Sequence, residues 1–154
     1  MTPAQIQAVS ADPKTFLSRG RALKKHITVM RKRIEGWRQI GESISAILKN
    51  DADVRSSEGY KQSLVENAVC SIVDLENEIV AEIERLVRVE RDICEAIKVL
   101  VSDDTQKMIL EMRYLDGRSW EHVAKYLGYS IDRVYRLHGQ ALQELRRHKK
   151  DNGK

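Results

Sequence analysis

Apolar or small residues recur along the first third of the chain at Phe16, Gly20, Leu23, Ile27, Met30, Ile34, Trp37, Gly41, Ile44 and Leu48. The steps alternate between four and three, which is the heptad seam of a coiled coil. Asp12-Pro13 marks the start, with Asp as cap and Pro in the first turn, and no further proline falls before about Lys49. The polar run Asn50–Ser57 predicts a loop, with Ser56 or Ser57 as the next cap. A second stripe follows from about Glu58 to Val101: Leu64, Ala68, Ile72, Leu75, Ile79, Ile83, Leu86, Ile93, Ile97 and Leu100, interrupted at Glu90. Two long amphipathic helices joined by a short loop favour an antiparallel pair. Gly20 and Gly41 sit on the first seam, where a partner helix is expected to approach closely.

The last third has a shorter period. Asp103 or Asp104 caps a helix running to about Leu115, which Asp116-Gly117 ends. Ser119 caps a second helix, WEHVAKYL, which stops at Gly128. Ser130 caps a third, from Ile131 towards Lys149. Ala124, Gly128 and Val134 have the spacing of a helix-turn-helix: small at the crossing, glycine where a side chain would clash, and apolar facing inward. Val123, Leu127, Tyr129 and Leu137 fill the other inward positions.

The expected fold class is therefore all-α: a long antiparallel coiled-coil hairpin over 13–101, then a helix-turn-helix domain over 102–148. A frayed segment is expected over 1–12 and a basic tail over 149–154. Composition agrees, with 154 residues, 32% charged, eight glycines and two prolines. No apolar run approaches a membrane span and no signal-peptide pattern opens the chain, so no membrane partner is expected. Cys70 and Cys94 lie 24 residues apart on one helix, roughly 36 Å, beyond disulfide reach. They are expected to be buried packing residues of a reduced, cytoplasmic protein.

Charge sharpens the division. Net charge is +7 over residues 1–50, −6 over 51–102 and +3 over 103–154. A basic helix beside an acidic one suits pairing across the seam; the alternative is a basic helix lying on nucleic acid. A single hairpin buries only one narrow stripe per helix, so a second chain or the C-terminal segment is expected to cover the rest.

In a major groove the outward positions of the third helix, Ser130, Ile131, Asp132, Tyr135 and Arg136, meet base edges. Arg136 suits guanine through two hydrogen bonds. Asp132 accepts from cytosine or orients Arg136, and Ile131 or Tyr135 touches a thymine methyl. Arg118, Ser119, Trp120, Lys125 and Arg133 lie where phosphates run, Trp120 being equally a core candidate. Arg146 and Arg147, with Lys149 and Lys150, extend the basic surface. His122, His138 and His148 lack metal-site spacing and read as structural or phosphate-facing. Gly139 is costly inside a helix, which close approach of another backbone would explain. No phosphate loop, metal-ligand cluster or nucleophile motif is present, so neither catalysis nor a cofactor is expected.

The stretch MILEMRYLDGRSWEHVAKYLGYSIDRVYRLHGQALQELR resembles region four of bacterial sigma factors. Its RYLDGRSW, GYS and VYRLHGQAL runs resemble more closely the small phage and prophage regulators of Gram-positive bacteria, of the ArpU and RinA kind. The resemblance implies promoter DNA read by Ile131, Asp132, Tyr135 and Arg136. Sigma factors are more polar where this chain has Ile131 and Tyr135, which points away from a standard promoter element. It further implies a sequence-specific regulator of phage late genes, with double-stranded DNA and host RNA polymerase as partners. The hairpin would make a homodimer or higher homo-oligomer. Two other classes fit the same pattern: a DNA-packaging subunit like a small terminase, and a structural coiled-coil adaptor.

Overall fold

A computed structural model describes residues 1–50 and 58–151, and the expected loop and its serine caps at 56 and 57 lie outside them. Among the described residues the fold is all helical, as the pattern predicts. Six α-helices follow in order: α1 (Pro3–Ala11), α2 (Pro13–Asn50), α3 (Glu58–Leu100), α4 (Asp104–Leu110), α5 (Trp120–Leu127) and α6 (Ile131–Asp151). A π-helical segment, Glu111–Leu115, continues α4.

The expected fraying of residues 1–12 is overturned. Thr2 and Gln5 form a reciprocal capping box, Pro3 occupies the first turn, and α1 follows. Val9 is fully buried. A short polar-looking segment folds here because tertiary burial, not its weak amphipathic pattern, supplies the stabilisation. Asp12 then begins α2 as expected, accepting from the Thr15 N–H at 3.2 Å.

The chain divides into two compact units, one of residues 1–23 and 86–154, the other of residues 24–85. The expected boundary at 101/102 is thus not where the structure separates. The start of α2 and the end of α3 belong with the C-terminal segment, and residues 24–85 form a unit of their own.

In the first unit, the main core joins Val9, Phe16 and Leu17 to Ile93, Ile97 and Leu100, and to Leu110, Tyr114, Ala141 and Leu145. Burial of this kind is worth about 2 kcal/mol per large aliphatic side chain. Helix α6 is tied down at its far end as well. The Ser102 N–H donates to Glu144 at 3.1 Å, and His148 Nε2 donates to the Leu100 carbonyl at 3.1 Å. A Cβ at Gly20 would lie 3.5 Å from Glu90 Cγ, an ordinary van der Waals contact, so the close approach foreseen there is not what requires glycine. The neighbour it would touch is the residue that breaks the second stripe.

In the second unit the seam holds at Ile27, Met30 and Ile34 on α2 and at Ala68 and Ile79 on α3, all buried. Arg38 pairs with Glu76 across the helices at 3.0 Å. The seam loosens towards the loop, where Trp37 and Leu64 are exposed and a Cβ at Gly41 would meet nothing within 4 Å. Cys70 and Cys94 are free thiols and exposed, which corrects their expected burial. Neither falls on the apolar stripe of α3, and small size alone does not bring a residue inside.

Candidate nucleic-acid interface

Helices α5 and α6 meet at the predicted turn. Ser119 Oγ accepts from the His122 N–H at 3.2 Å, and Ser130 Oγ accepts from the Arg133 N–H at 3.3 Å. Each serine is thus a cap, with its hydroxyl proton left to donate elsewhere. Gly128 closes α5 with φ +68, in the left-handed region. The Tyr129 N–H then donates to the Ala124 carbonyl at 3.0 Å, completing the stop. A Cβ at Gly128 would meet nothing within 4 Å, so the expected clash is corrected: the backbone conformation, not space, requires glycine.

A second small core holds the two helices together. Ile109, Met112, Val123, Ala124 and Val134 are buried in it, with Trp120, Leu127, Tyr129, Ile131 and Leu137 packed around them. Ala124 and Val134 take the inward roles their spacing predicts. The helix before the turn departs from expectation, because its last turn, 111–115, is π-helical rather than α-helical. The wider turn lets the Asp116 N–H reach the Glu111 carbonyl, and the Arg118 N–H reaches the Met112 carbonyl at 2.9 Å. Gly117, at φ +69, turns the chain between them.

Around this core lies an aromatic cluster that sequence patterns did not single out. His138 stacks on Tyr114, with Nε2 3.0 Å from the tyrosine hydroxyl. Trp120 meets both His138 and Tyr135 edge-on, at 4.8 and 5.2 Å between centroids. The Arg113 guanidinium covers the Trp120 ring at 4.5 Å and donates to the Arg118 carbonyl at 2.8 Å. Burial pushes His138 down to about 4, with Lys14 and Arg113 adding to the effect. It is a neutral structural histidine. His148 likewise serves structure, and His122 is exposed.

The predicted base-reading residues do not all stand alike. Ser130, Asp132, Tyr135 and Arg136 are exposed near the start of α6. Ile131 is half-buried against the small core, which limits its reach towards a base. Tyr135 is 45% exposed while its ring leans on Trp120. Of the phosphate candidates, Arg118, Ser119, Lys125, Arg133, Arg146 and Arg147 are all exposed. Trp120 is half-buried, and its role is mainly to pack. The Arg133 guanidinium stacks on Tyr129 at 3.9 Å, which fixes it beside the turn. Helical spacing places Asp132, Arg136, Gly139, Gln143 and Arg147 on one outward stripe of α6, opposite buried Val134, Ala141 and Leu145. A Cβ at Gly139 would meet nothing within 4 Å, so no backbone among the described residues accounts for that glycine. No cluster of three or more potential metal ligands occurs among the described residues. Nor is any described helix long and apolar enough to cross a membrane.

Two capped helices around a left-handed glycine turn, the second with a polar and cationic outer face, define a helix-turn-helix of the DNA-binding class. Residues 103–147 match the family model of sigma-70 region 4, which spans α4, the π-helical segment, α5 and most of α6. Comparison with curated proteins and with solved structures finds no match.

Proposed function

We propose that the chain is a sequence-specific DNA-binding regulator of transcription that inserts the start of α6 into the major groove. The observation that carries this is the division of α6 into two faces. Val134, Ala141 and Leu145 are fully buried, while Asp132, Arg133, Arg136 and Arg147 stand exposed on the other side. A helix locked on one face and cationic on the other presents its side chains to DNA at little entropic cost. Arg136 reads guanine, and Asp132 accepts from cytosine or steadies Arg136. Arg118, Lys125 and Arg133 bind phosphates beside the turn, and the Ser119 hydroxyl donates there too. Arg146 and Arg147 extend the phosphate track.

The target is a set of phage late genes, a reading supported by the RYLDGRSW, GYS and VYRLHGQAL runs. Host RNA polymerase and further copies of the chain are the protein partners, and the role is one of binding rather than catalysis, in the cytoplasm of a bacterial host. The test is binding to tiled fragments of the DNA around its own gene at several salt concentrations. One fragment is expected to bind far more tightly than the rest, and Arg136→Ala to erase that preference. Arg147→Ala is expected to weaken every fragment alike and to lower the salt slope by about 1. Binding without salt dependence, or a preference untouched by Arg136→Ala, would remove the proposal.

A further inference from the structure

Residues 24–85 leave more apolar surface uncovered than one hairpin seam explains. On α3, Val69, Val73 and Val80 are 53%, 48% and 57% exposed. Their spacing of four and seven is a second heptad phase, about 100° round the helix from buried Ile79. On α2, Val29, Ile40 and Ile47 are 49%, 55% and 52% exposed. They form a stripe about 130° from buried Ile34, in the opposite rotational sense.

In an antiparallel pair, opposite senses put the two stripes on opposite sides. The grooves between the helices agree. One, of about 480 Å³, is lined by Val65 and Val69 of α3 with Arg38, Gly41 and Ser45 of α2. The groove on the other side is lined by Arg33 and Trp37 of α2 with Ser71 and Asp74 of α3. One face therefore carries the α3 valines beside Arg31, Arg38 and Lys49 of α2, with Glu35 and Glu42 among them. The other carries the α2 stripe beside α3 acids.

We infer that a second copy of this chain covers the valine face, laying its own α2 stripe on Val69, Val73 and Val80. Charge selects this pairing. Residues 24–50 carry seven Lys/Arg and two Asp/Glu, and residues 58–85 carry two and seven. Helix α3 on its own copy would set like charge against like, as would α2 on α2. With α3 against α2 of the second copy, Arg31 comes opposite the partner's acidic α3 side. The contact uses two different faces, so it is head-to-tail, and each added copy leaves both faces available at the ends. The assembly grows past two copies. This deepens the self-association proposed above and stands apart from DNA binding by α6, so separate measurements test the two.

The measurement is the mass of the full chain in solution by light scattering, without DNA. Wild type is expected to contain three or more copies. Val73→Lys with Val80→Lys removes one face, and Ile40→Lys with Ile47→Lys removes the other. Each double variant alone is expected to be a monomer with unchanged helicity. Mixed in equal amounts, they are expected to form a dimer and nothing larger, because one intact face of each kind remains. A wild-type monomer or dimer, or a mixture that stays monomeric, would overturn the inference. Should lysine lower helicity, glutamine at the same four positions makes the same comparison.

Discussion

The Tyr114 hydroxyl and His138 Nε2 lie 3.0 Å apart, and this bond joins the π-helical turn to the recognition helix. Both groups are shifted by burial, the tyrosine upward and the histidine down to about 4. The pair therefore works with both partners neutral at ordinary pH.

That has a consequence for stability. A histidine whose folded pKa lies below its unfolded value of about 6.5 takes up its proton first in the unfolded chain. The stabilisation is whole above about pH 6.5 and is lost as pH falls towards 4. The loss is expected to be on the order of 2–3 kcal/mol at full protonation of the unfolded state. His138→Gln keeps a polar partner for Tyr114 without the titration. Thermal melts at pH 7.5, 6 and 5 should show wild type losing stability more steeply than this variant. Parallel slopes would mean that His138 is already accessible to protons when folded.

Gly128 offers a test of conformation against space. Its φ of +68 lies where a β-carbon is strained, yet a Cβ would meet nothing within 4 Å. Gly128→Ala is expected to cost about 1 kcal/mol, and Gly128→Asn less, since asparagine tolerates the left-handed region. Urea unfolding of the three proteins checks the order. A loss of several kcal/mol for alanine would point to a clash instead.

Gly128 marks where the sequence was legible and His138 where it was not. The turn could be read because a glycine at 128 and a serine cap at 130 are local signals, although a clash was the reason expected for the glycine and the left-handed backbone is the one found. The heptad stripes of α2 and α3 were legible for the same reason, down to the seam residues Ile27, Ile34 and Ile79. The cluster of Tyr114, Trp120 and His138 was not, since its members come from three elements and no spacing announces them. Nor was α1. Its amphipathic pattern is weak, and Val9 is buried by residues far along the chain. Cys70 and Cys94 were misjudged by type, because position on the stripe, not residue class, decides burial. Among site residues, Arg136 and Arg133 stand where helical spacing put them. Ile131 does not, because the first turn of α6 still leans on the small core.

Gly139 separates folding from binding. Inside a helix, glycine costs about 1 kcal/mol relative to alanine, and a Cβ here would meet nothing within 4 Å. Gly139→Ala is expected to raise stability by about that amount. It shares the outward stripe with Arg136, and affinity for the preferred DNA fragment is expected to fall despite the gain. Melting and titration of the same preparation check both. Raised stability with unchanged affinity would mean that DNA does not approach this part of α6.

The far end of α6 depends on a segment that looked expendable. Val9 of α1 is fully buried in the core that also buries Leu145 of α6, and Phe16, Ile97 and Leu110 close the same space. Leu145→Ala is expected to cost 2–5 kcal/mol, as deletion of a buried branched side chain commonly does. Val9→Ala removes two methyl groups and is expected to cost about 2 kcal/mol. A frayed terminus would give almost nothing, so this smaller number is the sharper test of α1. Amide exchange makes the same distinction residue by residue. Slow exchange across α1 that accelerates together with α6 in Val9→Ala would place the two helices in one cooperative unit. Fast exchange in α1 with α6 unchanged would leave the recognition helix held by α2, α3 and α4 alone.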